Sequence, residues 1–439
     1  MDFKRVMRLF FPIFIEQLLA ATVGIVSTAM VSRVSDAAMS GVGLVNNINF
    51  VVINVFIAVA TGTTVVAAQC FGRGDARSAR EAAAQSLSVV TYISVALAVV
   101  LTIFNRPMID ALFAGADAAV LAAAESYMFF SAISMPMLAI SSTVGGIMRA
   151  VGEMRLPMLG GIVANVTNVI VTAIAINALR LGADGAGWGL LFSRIAPAVV
   201  LLLLLQRGHG PLSRLKLSFK VTAAVMAPVL FIAIPSAIDS LIFNGCKLLV
   251  QVFMAAMGTD TLAAYAVLTN VSAFVNIPGG ALATLAISMV GTAYGAGDMK
   301  EVHRSTWRLN ILVSIFTAVV GVIVFAFLNP IISMFEMTPA AHTLAYNNMV
   351  LFIIVSPIFW GSAFLMPNCL RAIGRPKYTM AVSIASMVVL RVMAAWVLGV
   401  HLGWGLYGIW ISMFLDWVGR GIFFVLPLVK VPKFNSPSA

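Results

Sequence analysis

RAVGEMRLP (Arg149–Pro157) and RAIGRPKYT (Arg371–Thr379) repeat Arg-Ala-x-Gly followed by proline, and their arginines stand 222 residues apart in a chain of 439. A spacing of about half the chain suggests that the whole is duplicated. Testing that requires knowing how many elements lie between the two copies and in what medium they fold.

Composition supplies the medium. The chain is 61% hydrophobic and 10% charged, far from the roughly half apolar and quarter charged balance of soluble domains. Twelve apolar runs, each able to cross a hydrocarbon core of about 30 Å, are predicted over 9–32, 39–71, 82–105, 122–148, 156–179, 183–206, 222–257, 261–294, 309–328, 343–370, 378–400 and 403–428. They lack the alternation of barrel strands, and lipid satisfies no backbone groups, so the spans are read as helices. The expected fold is an all-α membrane protein.

The net charge of +11 sets topology and calls for no nucleic acid. Twenty of the 27 Lys and Arg residues fall at the N-terminus, the C-terminus or alternate breaks: Lys4 to Arg8, Arg73 to Arg80, Arg149 and Arg155, Arg207 to Lys220, Lys300 to Arg308, Arg371 to Lys377, and Lys430 and Lys433. The other side holds Arg33, Arg106 and Arg180, and four more lie inside spans. By the positive-inside rule both termini are cytoplasmic, in the inner membrane. The first span is too long for a signal peptide and contains Glu16, so it is kept as a helix.

With six spans per half, both Arg-Ala-x-Gly segments close the fourth helix of their half on the cytoplasmic side. FFPIFIEQLL from Phe10 matches IAIPSAIDSLI from Ile232 with Pro12 on Pro235, GRGDARSAR from Gly72 matches GAGDMKEVHR from Gly295, and SDAAMSGVGLVNN from Ser35 matches TDTLAAYAVLTNV from Thr259, at offsets of 223, 223 and 224. An even helix number between equivalent points gives both halves one orientation, with a symmetry axis along the membrane normal. The predicted organisation is an N-lobe over 1–205, a cytoplasmic connector over 206–220 and a C-lobe over 221–439. The Gly-x-Gly-Asp segments are read as helix-terminating loops.

In this joint order, the helix-1 and helix-7 prolines, Gly-x-Gly-Asp after helices 2 and 8, and Arg-Ala-x-Gly after helices 4 and 10 resemble the multidrug and toxic compound extrusion (MATE) transporters. That family lies within the wider multidrug/oligosaccharidyl-lipid/polysaccharide exporter superfamily. The resemblance covers nearly the whole chain. It implies two six-helix lobes in a V and export of an amphipathic organic compound, by alternating access, in exchange for inward H⁺ or Na⁺. The alternatives are a lipid-linked-sugar flippase of the same superfamily and an exporter of an anionic natural product. Expected partners are a small-molecule substrate and the lipid bilayer, with no cofactor besides the coupling ion and a monomeric chain.

Coupling needs a group that binds an ion better in one state than in another. A buried carboxylate qualifies, because H⁺ or Na⁺ removes a charge that hydrocarbon penalises by roughly 2.5–3.5 kcal/mol. Glu16 follows Pro12 by four residues and Asp239 follows Pro235 by four. Each acid therefore shares its proline's helix face, near carbonyls the proline leaves unpaired; the competing reading is that both acids neutralise neighbouring arginines. Asp416 is a third candidate, with Arg420 one turn on as its expected partner. The resemblance implies an Asp in helix 1 where this chain has Ser27 followed by Thr28, and an Asn pair in helix 5 where it has Asn168 preceded by Ala164. The acids of another branch would fall near Phe243 or Asn244 and near Trp360. Ser27, Thr28 and Asn168 are read either as a polar pocket or as interhelical contacts.

Substrate-binding candidates are Thr28, Asn46, Lys247, Gln251, Asn270 and Arg391. Lys247, two turns beyond Asp239, is expected either to pair with it or to attract an anionic substrate. Cys70, Cys246 and Cys369 are too scattered for a disulfide framework or zinc. The four histidines have no ligand spacing, and no P-loop is present. No metal site, catalytic residue or enzyme activity is expected.

Overall fold

A computed structural model describes residues 3–207, 221–335 and 337–429. Most of the expected connector, with His209, Arg214, Lys216 and Lys220, and the C-terminal Lys430 and Lys433 lie outside the described residues. Among the described residues all regular structure is helical. Twelve helices among the described residues are long and apolar enough to cross a membrane: α1 (Phe3–Ser32), α2 (Asp36–Gly72), α3 (Ala76–Ile103), α4 (Ala118–Ala150), α5 (Arg155–Ala178), α6 (Ala183–Gln206), α7 (Ala223–Ala256), α8 (Thr259–Gly295), α9 (Met299–Ala326), α10 (Pro339–Ala372), α11 (Pro376–His401) and α12 (Gly405–Leu428).

Each helix falls on one of the twelve predicted spans. The largest differences are at helix starts, where α1 begins at Phe3, α3 at Ala76 and α9 at Met299; the last two are polar there. Their first turns carry Arg77, Arg80 and Glu81, or Lys300, Glu301, Arg304 and Arg308. An apolar window rejects such residues, whereas a helix projecting into water accepts them. Two short helices, Asn105–Leu112 and Leu328–Ser333, sit at equivalent places in the two halves.

The repeated motifs end one helix and start the next. Gly152 and Gly374 have φ of 82° and 80°, left-handed values that cost any residue with a Cβ but not glycine. Their N–H groups bond to the Arg149 and Arg371 carbonyls at 3.0 Å each. After α2 and α8 the aspartate of Gly-x-Gly-Asp caps the following helix: Asp75 accepts from the Ser78 N–H and Asp298 from the Glu301 N–H, both at 2.9 Å. The bonds from Ser78 hold the Asp75 carboxyl below the usual carboxylate range.

The chain divides into two compact units, one from Phe3 to Ile234 and the other from Pro235 onward. The division falls inside α7, whose first turns pack with the first unit. The Gln85 amide oxygen accepts from the Thr222 N–H at 2.8 Å, and a Cβ on Gly62 would meet the Val229 carbonyl oxygen at 2.5 Å. Within the first unit α4 lies against α2, α3 and α6, and α5 lies against α1 and α6. Within the second, α8 packs on α9 and α10, and α12 packs on α10 and α11.

Lipid offers no hydrophobic drive between helices, so close backbone approach at small residues substitutes for it. A Cβ on Gly408 of α12 would stand 2.6 Å from the Leu398 carbonyl carbon in α11. Four stretches among the described residues wind more widely than an α-helix: Ile174–Ala178, Gly361–Leu365, Met387–Met393 and Trp396–His401. Such π turns occur often at functional sites, and three of the four belong to the second unit.

Candidate functional site

In the first unit, Glu16 on α1 faces the end of α4, with its Oε1 3.6 Å from the Arg149 guanidinium. Helix α5 presses against it, since a Cβ on Gly161 would meet the Glu16 Cγ at 2.9 Å. Glu16 Oε2 is buried and accepts no hydrogen bond among the described residues. Helix 1 also carries Ser27, whose hydroxyl donates to the Asn168 amide oxygen at 2.5 Å. The two residues that the resemblance singles out therefore meet across α1 and α5, as a neutral pair. Thr28 bonds back to the Gly24 carbonyl of its own helix. Asn46 is exposed and accepts weakly from the Tyr127 hydroxyl at 3.4 Å.

Arg194 on α6 is buried and faces serines, not a carboxylate. It donates to the Ser134 hydroxyl at 2.8 Å and to the Ser131 carbonyl at 3.3 Å. Ser131 in turn donates to Asn49 of α2. The arginine thus ties α6 to α4, and the serine ties α4 to α2.

In the second unit, Asp239 on α7 pairs with Arg371 at the end of α10, as Glu16 pairs with Arg149. The expected Lys247–Asp239 pair does not form. Arg371 is brought to Asp239 by the fold of the repeat and satisfies it first. Lys247 is half-buried, makes no ion pair among the described residues, and lies within electrostatic reach of Arg391 on α11.

Arg391 belongs to a buried cluster centred on Asp416 of α12. The Asp416 side chain is fully buried, with Arg420 Nε 2.9 Å from Oδ1 and Arg391 3.7 Å from Oδ2. The Ser386 hydroxyl donates to Asp416 Oδ1 at 2.6 Å. Both guanidiniums lie over the Phe243 ring of α7, at 5.4 Å for Arg420 and 5.7 Å for Arg391. Behind it stand Phe364, Trp360 and Trp417 in ring-to-ring contact. Arg420 Nη2 and the Trp417 indole N–H are buried donors without an acceptor among the described residues.

Phe243 and Trp360, where the resemblance leads to acids, are thus aromatic lining of a cationic cluster. Asp416 and Arg420 are one turn apart, as their spacing implied, but sequence did not reveal that Arg391 joins them. Gln251 and Asn270 are exposed; Asn270 bonds only to the Ala266 carbonyl of its own helix. Neither joins the cluster. All three cysteines are buried and free.

The chain is similar to known transporters over nearly its whole length. The MatE family model matches twice, over residues 12–174 and 235–397, two equal stretches 223 residues apart. The chain is 27% identical to the uncharacterized transporter YisQ of Bacillus subtilis over 94% of its own length and 90% of that protein's. It is 25% identical to the probable multidrug resistance protein NorM of Thermotoga maritima, over 95% and 90%. Among solved structures it shares the fold of the Vibrio cholerae MATE transporter VcmN, with a TM-score of 0.88 at 19% identity, covering 97% of this chain and 96% of that one.

Proposed function

The chain belongs to the MatE family, and from that premise we propose that it is a secondary exporter moving an amphipathic organic compound out of the cell by alternating access, in exchange for inward H⁺ or Na⁺. Family membership makes it a transporter and not an enzyme. The observation that carries the reading is the double family match: duplicated six-helix halves are the kind of two-state scaffold alternating access requires. The names of relatives such as NorM point the same way. The basic residues of alternate breaks favour the cytoplasmic membrane with both termini inside, and the chain works as a monomer.

Of the three candidate carboxylates, Glu16 is best suited to couple an ion. Asp416 answers two arginines and a serine, and Asp239 is held by Arg371. Glu16 faces one arginine, 3.6 Å from Oε1, and its buried Oε2 accepts no hydrogen bond, whereas Asp416 Oδ2, also without a hydrogen bond, stands 3.7 Å from Arg391; an incoming ion meets the freer acceptor at Glu16. The neutral Ser27–Asn168 contact supplies no charge to attract Na⁺, which favours H⁺. The test is transport in proteoliposomes under separately imposed pH and Na⁺ gradients. Efflux of organic dyes driven by a pH gradient, and lost in Glu16→Gln, supports the reading; vesicles that move no organic compound under either gradient sink it.

A further inference from the structure

Counting charge inside the second unit exposes an imbalance. Beyond the first turns of α8 and α9, which hold the half-buried Asp260, Glu301 and Arg308, its spans bury or half-bury four cations, Lys247, Arg371, Arg391 and Arg420, against two carboxylates, Asp239 and Asp416. Arg371 is matched by Asp239, and Asp416 can match only one of the two arginines that flank it. The Arg391–Asp416–Arg420 cluster therefore keeps one positive charge in excess, and the Lys247 ammonium has no carboxylate among the described residues. Buried cations without counter-charge are costly and, in membrane spans, mark the path of a substrate or ion. A chain needing only stability would place apolar residues there.

The surroundings specify what is missing. Phe243 presents its ring to both arginines, and Lys247 is one turn along the same helix, on the same face. Arg420 Nη2 and Trp417 Nε1 are donors without acceptors. The helix that carries Arg391 winds as a π-helix at that residue, and so does the stretch of α10 that carries Phe364. Positive charge, spare donors and aromatic faces together fit one chemistry: an acid group, supplying charge and acceptors, attached to an aromatic ring that stacks on phenylalanine.

We propose that the second unit holds a binding site for an amphipathic aromatic anion, a carboxylate or sulfonate, engaged by Lys247 and the Arg391–Arg420 pair with its ring against Phe243. This rests on the exporter reading and names its substrate class. It carries a physical consequence: an anion leaving and a proton entering both move positive charge inward, so the exchange is electrogenic, whereas one monovalent cation exchanged for one proton is neutral. An inside-negative potential drives the export directly.

The experiment uses the full-length purified protein and two probes of matched shape and opposite charge, 2-naphthalenesulfonate and N,N,N-trimethyl-2-naphthylammonium. Binding is measured in detergent, with anionic phosphatidylglycerol as competitor, and protein-dependent efflux is measured in zwitterionic vesicles with and without a potassium-diffusion potential. The sulfonate is expected to bind and leave, faster when the lumen is negative. Lys247→Met should weaken its binding by about tenfold, the loss of one charge-assisted contact, while Lys247→Arg retains it. Lys247 is chosen because it holds no ion pair, so its replacement leaves the fold intact where replacing Arg391 or Arg420 does not.

Export of the ammonium probe alone overturns the anion site and leaves the exporter reading standing. Equal sulfonate binding by Lys247→Met also overturns it, as does full displacement by phosphatidylglycerol, which would assign the cluster to lipid headgroups. Failure to bind either probe overturns the site, and absence of any gradient-driven dye transport overturns the exporter reading with it.

Discussion

Arg371 reaches from the end of α10 to the Asp239 carboxylate on α7, and its repeat counterpart Arg149 reaches Glu16 on α1 at 3.6 Å. The same helix pair is thus tied by the same charge pair in both halves. The second pair is the more buried, with side-chain exposures of 15% and 13% against 20% and 26%. Removing one partner of a buried pair leaves the other charge uncompensated, at a cost of about 3–5 kcal/mol when burial is complete. Asp239→Asn should therefore lower the unfolding temperature in detergent, and the double variant Asp239→Asn/Arg371→Gln should recover most of the loss. Glu16→Gln should cost less stability and act on the pH dependence of efflux.

Asp416 holds two arginines at once, so its replacement strands both. Asp416→Asn should destabilise by about 3–5 kcal/mol, and Ser386→Ala, which removes one hydrogen bond to the same oxygen, by about 1 kcal/mol. Thermal unfolding followed by tryptophan fluorescence reads both, with Trp410 and Trp417 on the same helix as reporters. Equal effects of the two changes would argue against the triad.

Close packing of α11 on α12 depends on Gly408, where an added Cβ meets backbone, not a flexible side-chain end. Gly408→Ala should cost about 1–3 kcal/mol, the usual penalty of overpacking. Gly245 in α7 has open space around it, so Gly245→Ala should be neutral or stabilising by about 0.5–1 kcal/mol through helix propensity. Opposite signs for these two changes, measured side by side, are the expected result.

Ser27 and Asn168 meet without a charge. Ser27→Ala should leave ion dependence unchanged and cost about 1 kcal/mol or less. Ser27→Asp places a carboxylate against Asn168 and should add a pH- or Na⁺-dependent component to stability or transport. A Ser27→Asp protein indifferent to both ions would remove this position from any coupling scheme.

The native cysteines are buried, so an introduced one can be read against a quiet background. Arg73→Cys and Ala296→Cys should be labelled by an impermeant thiol reagent from the same side, and Arg33→Cys from the other. Labelling of 73 and 296 from opposite sides would contradict the parallel duplication.

The twelve spans and their repeat were legible in sequence because hydropathy and the left-handed glycines act locally. The Arg149–Glu16 and Arg371–Asp239 pairs were half legible: both members recur at offsets of 222 and 223, and neutralisation of neighbouring arginines was one of the two readings of the acids. The local spacing of Lys247 and Asp239 pointed instead to a pair on one helix, and the tertiary partner prevailed. The meeting of Arg391 with Asp416 lies beyond any periodicity, since it depends on how α11 is wound and how closely Gly408 lets α12 approach. Departures from regular winding leave no hydropathy trace.

That winding has a consequence for the length of the chain itself. A π turn accommodates one residue more than an α turn while the helical faces on either side keep their phase, so Met387–Met393 holds a spare residue. Deleting Val388 would let the stretch close into ordinary turns with both flanks in phase, but turn Arg391, which lies inside it, off its present bearing. The helix would survive the loss of a letter, and the arginine's aim at Asp416 would not.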